Sequence, residues 1–301
     1  MGFGFLLFII ANLAVMASIY LTLFLLQLIF HINLTPTTTW GLAIFAALFG
    51  MGGSLFSLFL SKRMAIAGMG VQLIETPETP EEEWLVSTVH RLAREAKIGL
   101  PDVGIFDGPP NAFATGWNRN NALVAVSTSL FEIMDRSEIE GVLAHEISHI
   151  KNGDMITMTL LQGILNTLVI FVSKILAGIL TGNDEEEEGN GGEGIAFFLI
   201  SMVLEMVLSI FASMVAMWFS RYREYRADEG AVLLAGPSGI YYALAKLGNL
   251  PREQVAMPSE MKAFGIVGFL ELFGILFASH PPIQARLENI EQFAKKQGLA
   301  G

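Results

Sequence analysis

The sequence predicts an α+β, mostly helical membrane protein. It has four transmembrane helices in two hairpins and a cytoplasmic part with a small antiparallel sheet. Four apolar runs, at residues 3–30, 41–60, 158–182 and 195–219, predict the helices. Amphipathic and strand-like segments between and after them predict the rest. Composition agrees: 52% of the 301 residues are hydrophobic, 16% are charged, and mean hydropathy is +0.53. These values exclude a disordered chain and an ordinary soluble domain. With no cysteine, any metal site must use His, Asp or Glu.

Residues 3–30 carry no charged side chain. The run is too long for a cleaved signal peptide and lacks a basic flank. Residues 41–60 follow, with Gly50, Gly52 and Gly53 offered for close helix packing. The later runs each hold one ionisable residue, Lys174 and Glu205. A Lys–Glu pair is expected there, because a lone charge in lipid is costly. Lys62 and Arg63 follow the second run, and Arg221, Arg223 and Arg226 follow the fourth. The hairpin loops have no Lys or Arg, so the positive-inside rule puts both termini and the intervening domain in the cytoplasm.

The chain thus divides into a hairpin at 1–60, a cytoplasmic first half at 61–157, a second hairpin at 158–220 and a cytoplasmic second half at 221–301. The net charge of −11 is local. It is matched by five carboxylates in residues 75–83 and six in 184–193, both read as solvated acidic loops. No basic stripe supports a nucleic-acid partner. The lipid bilayer is a partner by composition.

Residues 81–98 read as an amphipathic helix, on which His90 stands alone as a surface or satisfied core histidine. Three strand-like runs follow, Val103–Asp107, Ala112–Gly116 and Ala122–Ser127, separated by Gly108-Pro109-Pro110 and Asn118–Asn121. The middle run suits an edge strand that pairs with an extended peptide, or an ordinary hairpin strand. Residues 137–151 then form a helix with Ser137 and Glu140 at capping-box spacing.

That helix carries His145-Glu146-Ile147-Ser148-His149. Four residues advance a helix by about 400°, so the two imidazoles project from one face, where they can share one Zn²⁺. Glu146 lies roughly 100° away and is placed to take a proton from a zinc-activated water. The alternative is a solvated histidine pair. A catalytic zinc needs a third protein ligand. Met155 stands where a further metzincin histidine would be. Glu224 is the better candidate, with Asp228 four residues on to hold a ligand histidine by its other nitrogen. Taken alone, the same charged stretch also reads as a solvated membrane flank.

In order, Pro110–Gly116 (PNAFATG), His145–His149 (HEISH), Arg223–Asp228 (REYRAD) and Ser279–Pro282 (SHPP) resemble the bacterial branch of the CAAX-prenyl-protease/HtpX family. That family consists of integral-membrane zinc metallopeptidases, and the likeness spans essentially the whole chain. The resemblance implies a zincin-like metallopeptidase domain with one zinc per chain. It implies His145, His149 and Glu224 as ligands, Glu146 as general base and Asp228 as the acid behind a ligand. It also implies that Asn111, Ala112, Phe113 and Ala114 hold the substrate backbone, and that His280 acts near the tetrahedral intermediate. By residue chemistry alone Asn111 and His280 read as turn residues. The implied role is a stress-response endopeptidase cutting misfolded or damaged membrane proteins, multi-pass in the bacterial inner membrane, with its active site in the cytoplasm. The alternatives are a site-2-type intramembrane protease and a non-enzymatic scaffold or holdase. Residues 263–278 are apolar but too short to span and read as a core helix. Residues 282–297 read as an amphipathic helix.

Overall fold

The computed structural model describes residues 39–181, 191–248 and 280–299, together with Leu28. The run 3–30 (Leu28 apart), the acidic stretch to residue 190 and the run 263–278 lie outside the described residues. The chain forms two compact units, Met1–Ser57 with Met158–Ala216 and Leu58–Thr157 with Met217–Gly301.

Three of the four predicted spans fall in described helices. Gly41–Met69, Asp154–Thr181 and Gly194–Ala235 are long and apolar enough to cross a membrane. In the first unit, helix α1 (Thr39–Ala47) continues through a π-turn (Leu48–Gly52) into α2 (Gly53–Met69). Gly50 abuts α6 (Asp154–Thr181), where a Cβ would fall 2.4 Å from the backbone nitrogen of Thr167. Gly163 answers from α6 against Met51. Gly50 thus packs closely as expected, and no described residue comes within 4 Å of a Cβ at Gly52 or Gly53. The expected pair is present: Lys174 Nζ lies 3.8 Å from Glu205 Oε1, between α6 and α7 (Gly191–Ala235).

In the second unit, α3 (Pro80–Ala96) is capped by Thr79, whose hydroxyl accepts the Glu82 N–H. Leu85, Val89, Leu92 and Ala96 are buried at helical spacing. His90 is satisfied by the carbonyl of Pro101.

The sheet has four strands, β1 (Gln72–Leu73), β2 (Asp102–Phe106), β3 (Ala112–Asn118) and β4 (Asn121–Ser127), in the order β1-β2-β4-β3. It is mixed, which corrects the antiparallel expectation: β2 runs parallel to β4, while β1–β2 and β3–β4 are antiparallel. The reason is burial. β4 is buried from Ala122 to Ser127 and takes the centre, so the hairpin strand β3 is pushed outward to the edge. The register shifts between Gly116 and Asn118, which still pairs with Asn121; at Gly116 a φ of +143° and a 2.3 Å approach of a Cβ to the Asn121 carbonyl require glycine.

A short helix α4 (Thr128–Ile133) leads to α5 (Arg136–Asn152), which carries the HEISH segment. Its capping box is Asp135 with Glu138, not Ser137 with Glu140. Asp135 ends the preceding extended residues and so meets the first free N–H groups, whereas Ser137 already lies inside the first turn. Leu143, Ile147 and Ile150 fill the core on one face of α5. Gly141 lets α8 (Pro237–Gly248) approach until a Cβ would sit 2.2 Å from the Ile240 nitrogen. Gly230 of α7 seats on Ser148 in the same way. Helix α9 (Ile283–Gln297) completes the unit.

Candidate metal centre

Helix α5 ends at Gly153, whose φ of +71° turns the chain into α6. His145 and His149 therefore sit on the last turns of α5, directly before an apolar helix. Helix α7, with 45 residues, is about 68 Å long, roughly twice the hydrocarbon thickness of a bilayer. Its charged C-terminal part, with Glu224 and Asp228, extends beyond the apolar stretch. The contact of Gly230 with Ser148 draws that part onto the HEISH segment.

The result is a three-residue cluster. The Nε2 atoms of His145 and His149 are 3.1 Å apart. Glu224 Oε2 lies 3.6 Å from the first and Oε1 3.3 Å from the second. One ligand atom from each residue lies within 4.8 Å of the others. Each imidazole is held from behind. His145 Nδ1–H donates to Asp228 Oδ1 at 2.9 Å, and His149 Nδ1–H donates to Asp154 Oδ2 at 2.6 Å. Those bonds fix the tautomer and leave both Nε2 lone pairs directed at one point. Two imidazoles and a carboxylate around one point fit a divalent metal ion.

The electrostatics point the same way. Glu224, Asp228 and Asp154 are almost wholly buried. Arg286 reaches two of them from α9, donating from Nε to Asp228 Oδ2 at 2.8 Å and from Nη2 to Oδ1 at 2.6 Å. Its Nη1 lies 3.4 Å from Glu224 Oε2. Arg223 is more distant, 3.9 Å from both Asp154 and Glu224. Burial lowers the affinity of His149 for a proton, but the carboxylates of Asp154 and Glu224 overcome it and raise its pKa to about 9. His145 is likewise raised against burial, by Asp228 and Glu224. The field between the rings thus favours positive charge, as a cation site requires.

Residues 79–294 match the model of peptidase family M48. This chain belongs to that family. It is 50% identical over 287 residues to Protease HtpX of Xanthomonas axonopodis pv. citri, covering 93% of this chain and 94% of the relative. It is 48% identical over 290 residues to Protease HtpX of Tolumonas auensis, covering 95% and 98%. The crystal structure of S. mikatae Ste24p shares the fold, with a TM-score of 0.63 at 20% identity over 96% of this chain and 66% of that one. The M48 peptidase described here is a membrane metalloprotease of the HtpX branch.

Of the expected site residues of this M48 peptidase, His145, His149, Glu224 and Asp228 come together. Glu146 is half-buried beside His145. His280 Nδ1 lies 2.7 Å from Glu224 Oε2, although its side chain is 64% exposed. Asn111 is exposed just before β3; its carbonyl accepts the Ser127 N–H and its own N–H donates to Ser127 Oγ. Among the described residues no hydrogen bond joins its side chain to the cluster. Ala112, Phe113 and Ala114 lie half-buried on β3, the edge strand packed against α5. Two members escaped the sequence reading. Asp154 follows the helix-ending Gly153, and that position was its available signal. Arg286 offers no local signal, being 58 residues from Asp228.

Proposed function

We propose that this M48 peptidase is a zinc-dependent endopeptidase. It hydrolyses peptide bonds of misfolded or damaged membrane proteins at the cytoplasmic face of the bacterial inner membrane, as part of protein quality control. The convergence of His145, His149 and Glu224, with a carboxylate behind each imidazole, carries this reading.

His145, His149 and Glu224 would hold one zinc ion. When bound, zinc supplies Lewis-acid polarisation and lowers the pKa of water to about 7. Glu146 takes the proton of the attacking water and returns it to the leaving amine. Asp228 and Asp154 keep the ligand imidazoles in one tautomer. His280 donates a hydrogen bond to the oxygen on which negative charge develops. Asn111, Ala112, Phe113 and Ala114 pair with an extended substrate, since β3 offers an unpaired edge among the described residues. Lys62, Arg63, Arg221, Arg223 and Arg226 support the cytoplasmic orientation. The site-2-type alternative is disfavoured: α5 ends before the apolar helix α6 and carries Glu138, Glu140 and Lys151.

The test is cleavage of casein, and self-cleavage, by the full chain purified in detergent with chelator and then reloaded with zinc, beside E146A. Zinc-dependent cleavage absent from E146A is expected. Stoichiometric zinc without cleavage in either protein would favour a scaffold, and no stoichiometric zinc would overturn the reading.

A further inference from the structure

A shallow, open cleft of mixed lining lies between the β3–β4 turn and the junction of α5 with α6. It is lined by Asn118, Arg119 and Asn120 on one side and by Asn152, Gly153, Ile156 and Thr157 on the other. None of its lining residues is acidic, in a chain of net charge −11.

Several donors lie at or just beneath its surface. The Asn120 backbone N–H donates to Asn118 Oδ1, and the Gly99 N–H donates to Asn120 Oδ1. Because a backbone N–H needs an oxygen acceptor, both amide oxygens are occupied and both Nδ2 groups face the other way. Asn152 Nδ2 is buried and has no hydrogen-bond partner among the described residues. A buried donor without an acceptor is costly, and a ligand oxygen would relieve that cost. The Arg119 guanidinium lies over Gly153, 3.7 Å from where a Cβ would be. No ion pair engages it among the described residues.

The place of the cleft narrows the ligand. Thr157 and Gly153 flank the first turn of α6, an apolar helix long enough to cross a membrane. Trp117, exposed beside Asn118, stacks obliquely on exposed Phe59 at 6.0 Å, an arrangement suited to the membrane–water interface. We propose that this cleft binds the phosphate of an anionic phospholipid headgroup, with Arg119 as its principal donor and the half-buried Asn152 amide turning outward to join it.

The full chain in a neutral detergent would be titrated with dihexanoyl-phosphatidylglycerol, dihexanoyl-phosphatidylcholine and inorganic phosphate, with bound species read by native mass spectrometry. Wild type should retain phosphatidylglycerol in preference to the other two. R119Q and N152D should each weaken that retention about tenfold or more, the second by placing a carboxylate against the phosphate. R63Q, outside the cleft, should not. Unchanged lipid-free melting of R119Q, whose side chain is exposed, checks folding. Retention by R119Q and N152D at the wild-type level overturns the proposal, as does R63Q weakening binding as much as R119Q. Inorganic phosphate displacing the lipid at equal concentration would make this a free-phosphate site, and equal retention of phosphatidylcholine would remove the anionic preference; either overturns it.

Discussion

Asp154 Oδ2 accepts the Nδ1–H of His149 at 2.6 Å, and Asp154 is also the first residue of the apolar helix α6. A candidate metal-ligand histidine is thus oriented by the residue that starts a candidate membrane span. Removing such a partner from a ligand histidine costs about 10–100-fold in metal affinity. D154A should show a loss of that size in zinc affinity, and D154N a smaller one because its carbonyl oxygen can still accept the bond. Chelator competition on the full chain measures both.

Arg286 is a stability element as much as a site residue. It pairs bidentately with Asp228, which is fully buried. R286A leaves that carboxylate uncompensated, a change that costs about 3–5 kcal/mol for a buried pair. R286K keeps the charge without the planar fork and should lose less. Denaturant unfolding of the three proteins at fixed metal concentration gives the order wild type, R286K, R286A.

Close helix packing makes a contrasting pair of glycine substitutions. In G141A the new Cβ meets the backbone of Ile240, which cannot step aside. A loss of at least about 1–3 kcal/mol is expected. No described residue comes within 4 Å of a Cβ at Gly68 of α2, so G68A should be neutral or stabilise by up to about 1 kcal/mol. Thermal melting separates the two by sign.

Metal should stabilise the fold, because its ligands come from α5 and α7 and are brought together only in the folded chain. At a free metal concentration 100 times Kd the gain is about 2.7 kcal/mol. Chelation should therefore lower the Tm of wild type. In E224A the same chelation should shift the Tm little, since the third ligand is gone.

His280 is largely exposed and touches Glu224 through one nitrogen, so H280A should leave melting nearly unchanged. If it stabilises developing oxyanion charge, kcat should fall about 10²–10³-fold with zinc content unaltered. Steady-state casein cleavage beside metal analysis measures both quantities.

What was legible in the sequence was local. The spacing of His145 and His149, the helix around them, the apolar runs at 41–60, 158–182 and 195–219, and the acid pair Glu224 and Asp228 all rest on periodicities within a few residues. Helix geometry turns such spacing directly into a shared face. The approach of Lys174 to Glu205 followed from the cost of a lone charge in an apolar helix.

What the tertiary structure decided depended on which segments meet. The capping box moved from Ser137 to Asp135 because the preceding extended residues, not the motif, set where the helix begins. β4 took the centre of the sheet because it is the strand buried along nearly its whole length, and that choice made its pairing with β2 parallel. Arg286 joined Asp228 across 58 residues, and Asp154 reached back around Gly153 to His149. Spacing along the chain, with the family resemblance, named the candidate metal ligands. The charges that hold them in place come from α6 and α9, and only the packing of those helices against α5 and α7 brings them within hydrogen-bond distance.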